Sequence, residues 1–191
     1  MEIDQLVELV RKRRSIRRFK PDPVPAEYIG KILEAARWAM SGANGQPWEF
    51  IVVTNQDTKN KISEADNEQV KLSIALEMSR VREMRQPAFR DIPDVIPNQG
   101  LNDAPVIIIL CADPRTAQAS QLNRLCDRRW VVDENMATTA QIIHLAAAAI
   151  GLGSRWITVN WLSEQLIKSI LGIPPIIRIF SMIPIGYPAY Y

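Results

Sequence analysis

The chain has 191 residues, 47% hydrophobic and 23% charged, with 23 Lys and Arg against 21 Asp and Glu. This is the composition of an ordinary globular protein, long enough for one domain over residues 1–191 with a real core. Two cysteines, Cys111 and Cys126, exclude a disulfide scaffold and match no metal or redox spacing.

The charge is local. Residues 11–20, "RKRRSIRRFK", hold seven cations and no acid, and the rest of the chain sets 16 cations against 21 acids. Such a run suits a nucleic-acid patch, a membrane-surface patch or a socket for one small phosphorylated molecule. A general nucleic-acid binder spreads cations over a face. This chain confines them, and Phe19 is the run's only aromatic residue.

In chain order, Ile3, Leu6, Val7 and Val10 recur at helical spacing, so an amphipathic helix opens the chain and ends near Arg13 or Arg14. Cations there also suit the negative end of the helix dipole. Arg17, Arg18 and Lys20 lie beyond that account. A second helix carries Ile29, Ile32, Leu33, Ala36 and Met40 on one face, with Gly42 as its stop. "SGANGQP" reads as a loop and "WEFIVVT" as a strand. Asp57 is placed to cap a short helix through about Ala65, followed by another from about Glu68 to Arg85. Residues 86–104 contain Pro87, Pro93 and Pro97 and read as a long loop, functional or mobile. "PVIIILCA" (105–112) is apolar throughout, which predicts a central strand covered on both faces. A buried, Ala-rich helix runs from about Asp133 to Gly151, then strand "SRWITV", helix "LSEQLIKSIL" closed by Gly172, and strand "IFSMIPIG". Four strands and at least five helices make an α+β or α/β sandwich.

Side-chain catalysts are scarce. The one histidine, His144, falls on the buried helix and reads as a core residue, which disfavours Ser-His-Asp and Cys-His chemistry. There is no zinc spacing and no P-loop. "GLGS" (151–154) follows a helix and precedes a strand, the reverse of a dinucleotide fingerprint. An enzyme built this way relies on a cofactor for the reaction. "RRSIR" offers guanidinium donors and a hydroxyl suited to a phosphate. The start, "MEIDQLVELV", shows no secretory n-region, and the apolar windows are too short to span a bilayer. A soluble protein in a reducing cytoplasm is the expectation.

"RRSIRRF", "SGANGQPWEF", "AIGLGSRWI" and "IPIGYP", in that order and in those contexts, resemble the FMN-dependent nitroreductase superfamily over nearly the whole chain. The resemblance implies an α+β three-layer sandwich, a central and mostly antiparallel sheet flanked by helices. It also implies a homodimer with FMN sites at the subunit interface and NAD(P)H as co-substrate. Arg13, Arg14, Ser15 and Arg17 would hold the phosphate, ribityl chain and pyrimidine edge. Ser41 and Asn44 would approach the flavin from the partner subunit. Trp156, Ile157 and Thr158 would line the ring, with a backbone N–H near Thr158 facing N5. No side chain is expected to act as catalyst, no metal is expected, and the acceptor is a small molecule rather than nucleic acid or membrane. Relatives usually continue past "GYP" with a basic segment. Here the sequence reads "GYPAYY", so either the phosphate would rest on the N-terminal cluster alone, with Arg18 or Lys20 helping, or FMN would bind more weakly. Residues 86–104 would set the substrate. Alternatives within the superfamily are reductive dehalogenation, another flavin reaction, or flavin binding with little turnover.

Overall fold

A computed structural model of the chain describes residues 2–85, 101–118 and 129–190. The elements are α1 (Ile3–Lys12), α2 (Ala26–Ala36), β1 (Trp48–Val53), α3 (Gln56–Met78), β2 (Val106–Ala112), α4 (Pro114–Gln118), α5 (Arg129–Ala149), β3 (Gly153–Ser154), β4 (Ile157–Thr158), α6 (Trp161–Leu171) and β5 (Arg178–Gly186). The strands form one sheet in the order β1-β2-β5-β3, with β4 also paired to β5, and every ladder is antiparallel.

The middle of the sheet follows from the apolar run. Every residue of β2 is buried. Because strand side chains alternate, Val106, Ile108, Leu110 and Ala112 meet α2 and α5 on one face, packing with Ile32, Met136 and Ile143. Ile107, Ile109 and Cys111 meet α3 and α6 on the other, packing with Ile62 and Ile167. The molecule is therefore an α+β sandwich of three layers, helix–sheet–helix, as the sequence resemblance implied.

Several local expectations are corrected. α2 ends at Ala36, so Met40 lies off its buried face and is 80% exposed; Gly42 opens a short 3-10 turn instead of stopping the helix. The two helices expected between Asp57 and Arg85 are one, α3, capped by Asn55 rather than Asp57: the Asn55 side chain accepts the Thr58 N–H at 2.9 Å. No Gly or Pro interrupts residues 56–78, so nothing local breaks the helix. α5 includes Arg129, ahead of Asp133.

The expected strand "SRWITV" is split into β3 and β4, which raises the strand count to five. Ser154 pairs with Ile185 and Ile157 with Met182 in one continuous register. That register sets Arg155 opposite Pro184, which has no N–H to give, and the ladder opens there. Of the long loop expected at 86–104, residues 86–100 lie outside the described residues, as does Cys126. The end of that loop is held firmly: buried Lys59 on α3 donates from Nζ to the Ala104 carbonyl at 2.6 Å.

Among the described residues no helix is long and apolar enough to cross a membrane, and no cluster of His, Cys, Asp and Glu could hold a metal.

Candidate cofactor-binding site

α1 stops at Lys12, and Arg13 turns into extended backbone. From there the cationic segment is stitched to the sheet. Ser15 bridges Ser154, the Ile16 N–H donates to the Ser154 carbonyl at 3.0 Å, and the Lys20 N–H donates to Tyr187 at 2.8 Å. Ile16 and Phe19 are buried as anchors, leaving Ser15, Arg17 and Arg18 exposed. Gly153 makes this closeness possible, since a Cβ there would stand 2.6 Å from Ile16 Cγ1.

Among the described residues the guanidinium groups of Arg14 and Arg17 meet carbonyls. Arg14 donates to Arg11 and Arg13, and Arg17 reaches Ser15 at a long 3.5 Å. Among the described residues none of Arg13, Arg14 and Arg17 forms an ion pair, whereas Lys12 is bound to Glu8 at 2.7 Å. A cavity of about 370 Å³ opens here, bordered by Leu9, Arg13, Arg14, Ile16, Leu152 and Ser154. It unites Arg13 and Arg14. Ser15, Arg17 and residues 156–158 do not border it.

The bend at 155–156 follows Ser154 directly, the last residue along the chain to border the cavity. Trp156 stacks on His144, with ring centroids 6.1 Å apart at 26°, and meets Phe180 edge-on at 5.3 Å. Phe180 is presented by a bulge: Leu110 pairs with Ser181 but Cys111 with Ile179, leaving Phe180 over. Trp156 remains 37% exposed. Ile157 buries its side chain in the α3–α6 layer, so it can offer a ligand only its backbone, while Thr158 is exposed.

Three residues that sequence reasoning did not assign to the site, Arg155, Asp66 and His144, lie close to it. Arg155 is half-buried, and its pKa is lowered by burial and then by Arg17, with Asp66 opposing. On α3, burial raises the Asp66 carboxyl, against the pull of Arg155. His144 is buried as expected, and its Nδ1 lies 2.8 Å from Ser154 Oγ. Burial, then the charge of Arg13, pushes its pKa down to about 4. Its Nε2 has no partner among the described residues. The only signal in the sequence was a lone histidine on an Ala-rich helix.

The loop at 41–46 is strained and firmly held. Ala43, Asn44 and Gln46 have φ of 53°, 52° and 43°, a conformation uncommon for residues other than glycine. Asn135 Oδ1 accepts the Gly42 N–H at 2.9 Å, Thr138 Oγ1 donates to the Met40 carbonyl, and Ser41 Oγ accepts the Gln46 N–H. Ser41 keeps a hydroxyl proton and Asn44 its amide N–H₂ for another partner. This loop sits on Asn135, near one end of α5, and the arginine cavity on Ala148, near the other. A rise of about 1.5 Å per residue puts roughly 20 Å between them along the axis. One chain does not bring Ser41 and Asn44 to Arg13.

A central antiparallel sheet between two helical layers places the chain in the class of three-layer α+β sandwiches. The model of the Nitroreductase family matches residues 10–187, and the chain belongs to that family of oxidoreductases. It is 34% identical over 187 residues, 96% of the chain and 78% of the relative, to a Methanothermobacter thermautotrophicus protein whose name proposes an NADH dehydrogenase/NAD(P)H nitroreductase. It is 28% identical to iodotyrosine deiodinase 1 of Rattus norvegicus, over 99% of the chain and 64% of that protein. The crystal structure of oxidized iodotyrosine deiodinase bound to FMN and 3-iodo-L-tyrosine superposes with a TM-score of 0.76 at 24% identity, covering 96% of this chain and 89% of that one.

Proposed function

We propose that the protein is a homodimeric FMN oxidoreductase that uses NAD(P)H to reduce nitroaromatic, quinone or similar conjugated acceptors in alternating half-reactions. The observation that carries this reading is the arginine segment: three guanidinium groups without carboxylate partners among the described residues, on a segment held by backbone bonds against the sheet. That donor set fits a phosphate dianion, which Arg recognises through paired N–H groups. The exposed Thr158 leaves the adjoining backbone approachable by a flat ring.

Arg13, Arg14 and Ser15 hold the phosphate and ribityl chain in this reading. Arg17, reinforced by nearby Arg155, supplies positive charge at the ring's pyrimidine edge, where charge that develops on reduction is stabilised. Trp156 forms a wall, and the backbone of Ile157 and Thr158 faces the ring. When bound, FMN supplies the hydride-accepting and hydride-donating centre, so no side chain need act as acid, base or nucleophile. Ser41 and Asn44 act on the partner subunit's cofactor, since within one chain they lie at the far end of α5.

A second reading keeps the cofactor and changes the acceptor to a halogenated aromatic, supported by the 28% identity to iodotyrosine deiodinase. Turnover of nitroaromatics, quinones and halophenols under one reductant separates the two.

The test of cofactor binding is mutational. Arg13→Ala and Arg17→Ala should each raise the Kd for FMN about tenfold or more, the cost of losing a charge-assisted hydrogen bond, and so lower the flavin content of the purified protein, with the melting temperature of the FMN-free protein nearly unchanged. Full flavin content in the double variant would refute the assignment.

A further inference from the structure

We propose that His144 is a positioning residue of the cofactor site, holding Ser154 and Trp156 in fixed relation so that the arginine segment and the 156–158 turn face one ligand together. The inference rests on the flavin reading above.

The bend between β3 and β4 lacks the support a strand normally has. Opposite it stands Pro184, and the ladder resumes only at Ile157. Something other than backbone bonding must fix the bend, and one buried imidazole touches both of its ends. Through Nδ1 it meets Ser154 Oγ at 2.8 Å, and its ring face stacks on Trp156 at 6.1 Å and 26°. Ser154 is also the residue whose carbonyl takes the Ile16 N–H and whose backbone bridges Ser15. The imidazole on α5 thus reaches the phosphate-binding segment through Ser154 and the ring-lining turn through Trp156. Whether Ser154 donates or accepts follows the histidine tautomer, and the bond joins the same atoms either way.

Charge fits this role. Arg13 lies close enough to disfavour an imidazolium, and burial disfavours it further. A neutral ring holds the bend across the working pH range without adding to a cluster already rich in cations.

FMN titrated into the purified full chain, with binding read from quenching of flavin fluorescence, tests the inference. Ser154→Ala removes the hydroxyl at little cost in volume. His144→Phe keeps an aromatic face against Trp156 and removes the nitrogen. Each should raise the FMN Kd about tenfold. The double variant should be no weaker than the poorer single one, because both break one bond. His144→Asn, which restores a polar group near the Nδ1 position, should recover part of the loss. A histidine that only fills the core would lower the melting temperature of its variants and leave Kd alone; that result, or losses that add in the double variant, overturns the inference. Failure of the wild-type chain itself to bind FMN would instead overturn the flavin reading beneath it.

Discussion

At the scale of single residues, charge and burial decide what each group can do. Arg13, Arg14 and Arg17 are available because α1 ends before them and leaves their side chains beyond the reach of its acids, whereas Lys12, one position earlier, is paired with Glu8. That contrast was legible in the sequence as cations continuing past the end of the amphipathic pattern. Arg155 was not legible, because its neighbours Arg17 and Asp66 come from distant segments and only folding brings them together. His144 was legible as buried but not as a contact between two walls. Its burial has a measurable consequence, since it is the chain's only histidine. Its pKa is ordinarily near 6.5 and is about 4 in the fold. As pH falls below 6.5 the unfolded chain takes up a proton that the native protein refuses until about pH 4. Stability is therefore lost across that window and levels off below it, by about 3 kcal/mol at about 1.4 kcal/mol per pKa unit. His144→Asn should lose less stability than wild type between pH 7.5 and pH 5 in thermal melts. Parallel curves would show that the histidine is not held neutral.

At the scale of elements, the site depends on how closely the arginine segment lies on β3. Gly153→Ala would place a Cβ 2.6 Å from Ile16 Cγ1 and 2.9 Å from its Cβ, too near the backbone for a rotamer change to relieve. The expected cost is about 1–3 kcal/mol of overpacking, together with weakened FMN binding as the segment is pushed away. A control lies elsewhere in the fold. Glu164 on α6 accepts both the Lys168 ammonium at 2.8 Å and the Ile179 N–H at 2.9 Å, with both charged side chains nearly buried. Glu164→Gln should destabilise by about 3 kcal/mol, because a buried ammonium loses its partner, yet leave FMN affinity intact. Equal loss of affinity in both variants would make stability, not closeness to β3, the cause. Local pattern located these elements well where packing agreed with it. The unbroken apolar run of β2 could only be a central strand, and Gly172 ends α6 in a left-handed turn with φ of 66°. It failed where a partner in space decides. The split of β3 from β4 is set by Pro184, on the strand they pair with, and the end of α2 short of Met40 goes with a loop tied to Asn135 and Thr138.

At the scale of the molecule, two features lack full cover among the described residues. α1 is amphipathic but buries no residue, leaving Ile3, Val7 and Val10 exposed. α5 leaves Glu134, Ala137, Gln141 and Ala149 exposed along a helix otherwise packed in the core. A second copy laid antiparallel along α5 would cover such a stripe and carry each Ser41 loop toward the other subunit's arginine segment, across the roughly 20 Å that separates them within one chain. The dimer reading makes a quantitative prediction. Ser41→Trp and the Arg13→Ala/Arg17→Ala variant should each bind little FMN alone. After unfolding and refolding together in equal amounts, mixed dimers hold one intact site of two, so about a quarter of wild-type capacity should return; no recovery would place both halves of the site in one chain. The most direct test of the central claim is the visible absorption spectrum of the purified protein, recorded without oxygen before and after NADH or NADPH. A flavin spectrum that bleaches with reductant and returns when a quinone or nitroaromatic is added is the expected result. A colourless protein that also takes up no added FMN would contradict the account.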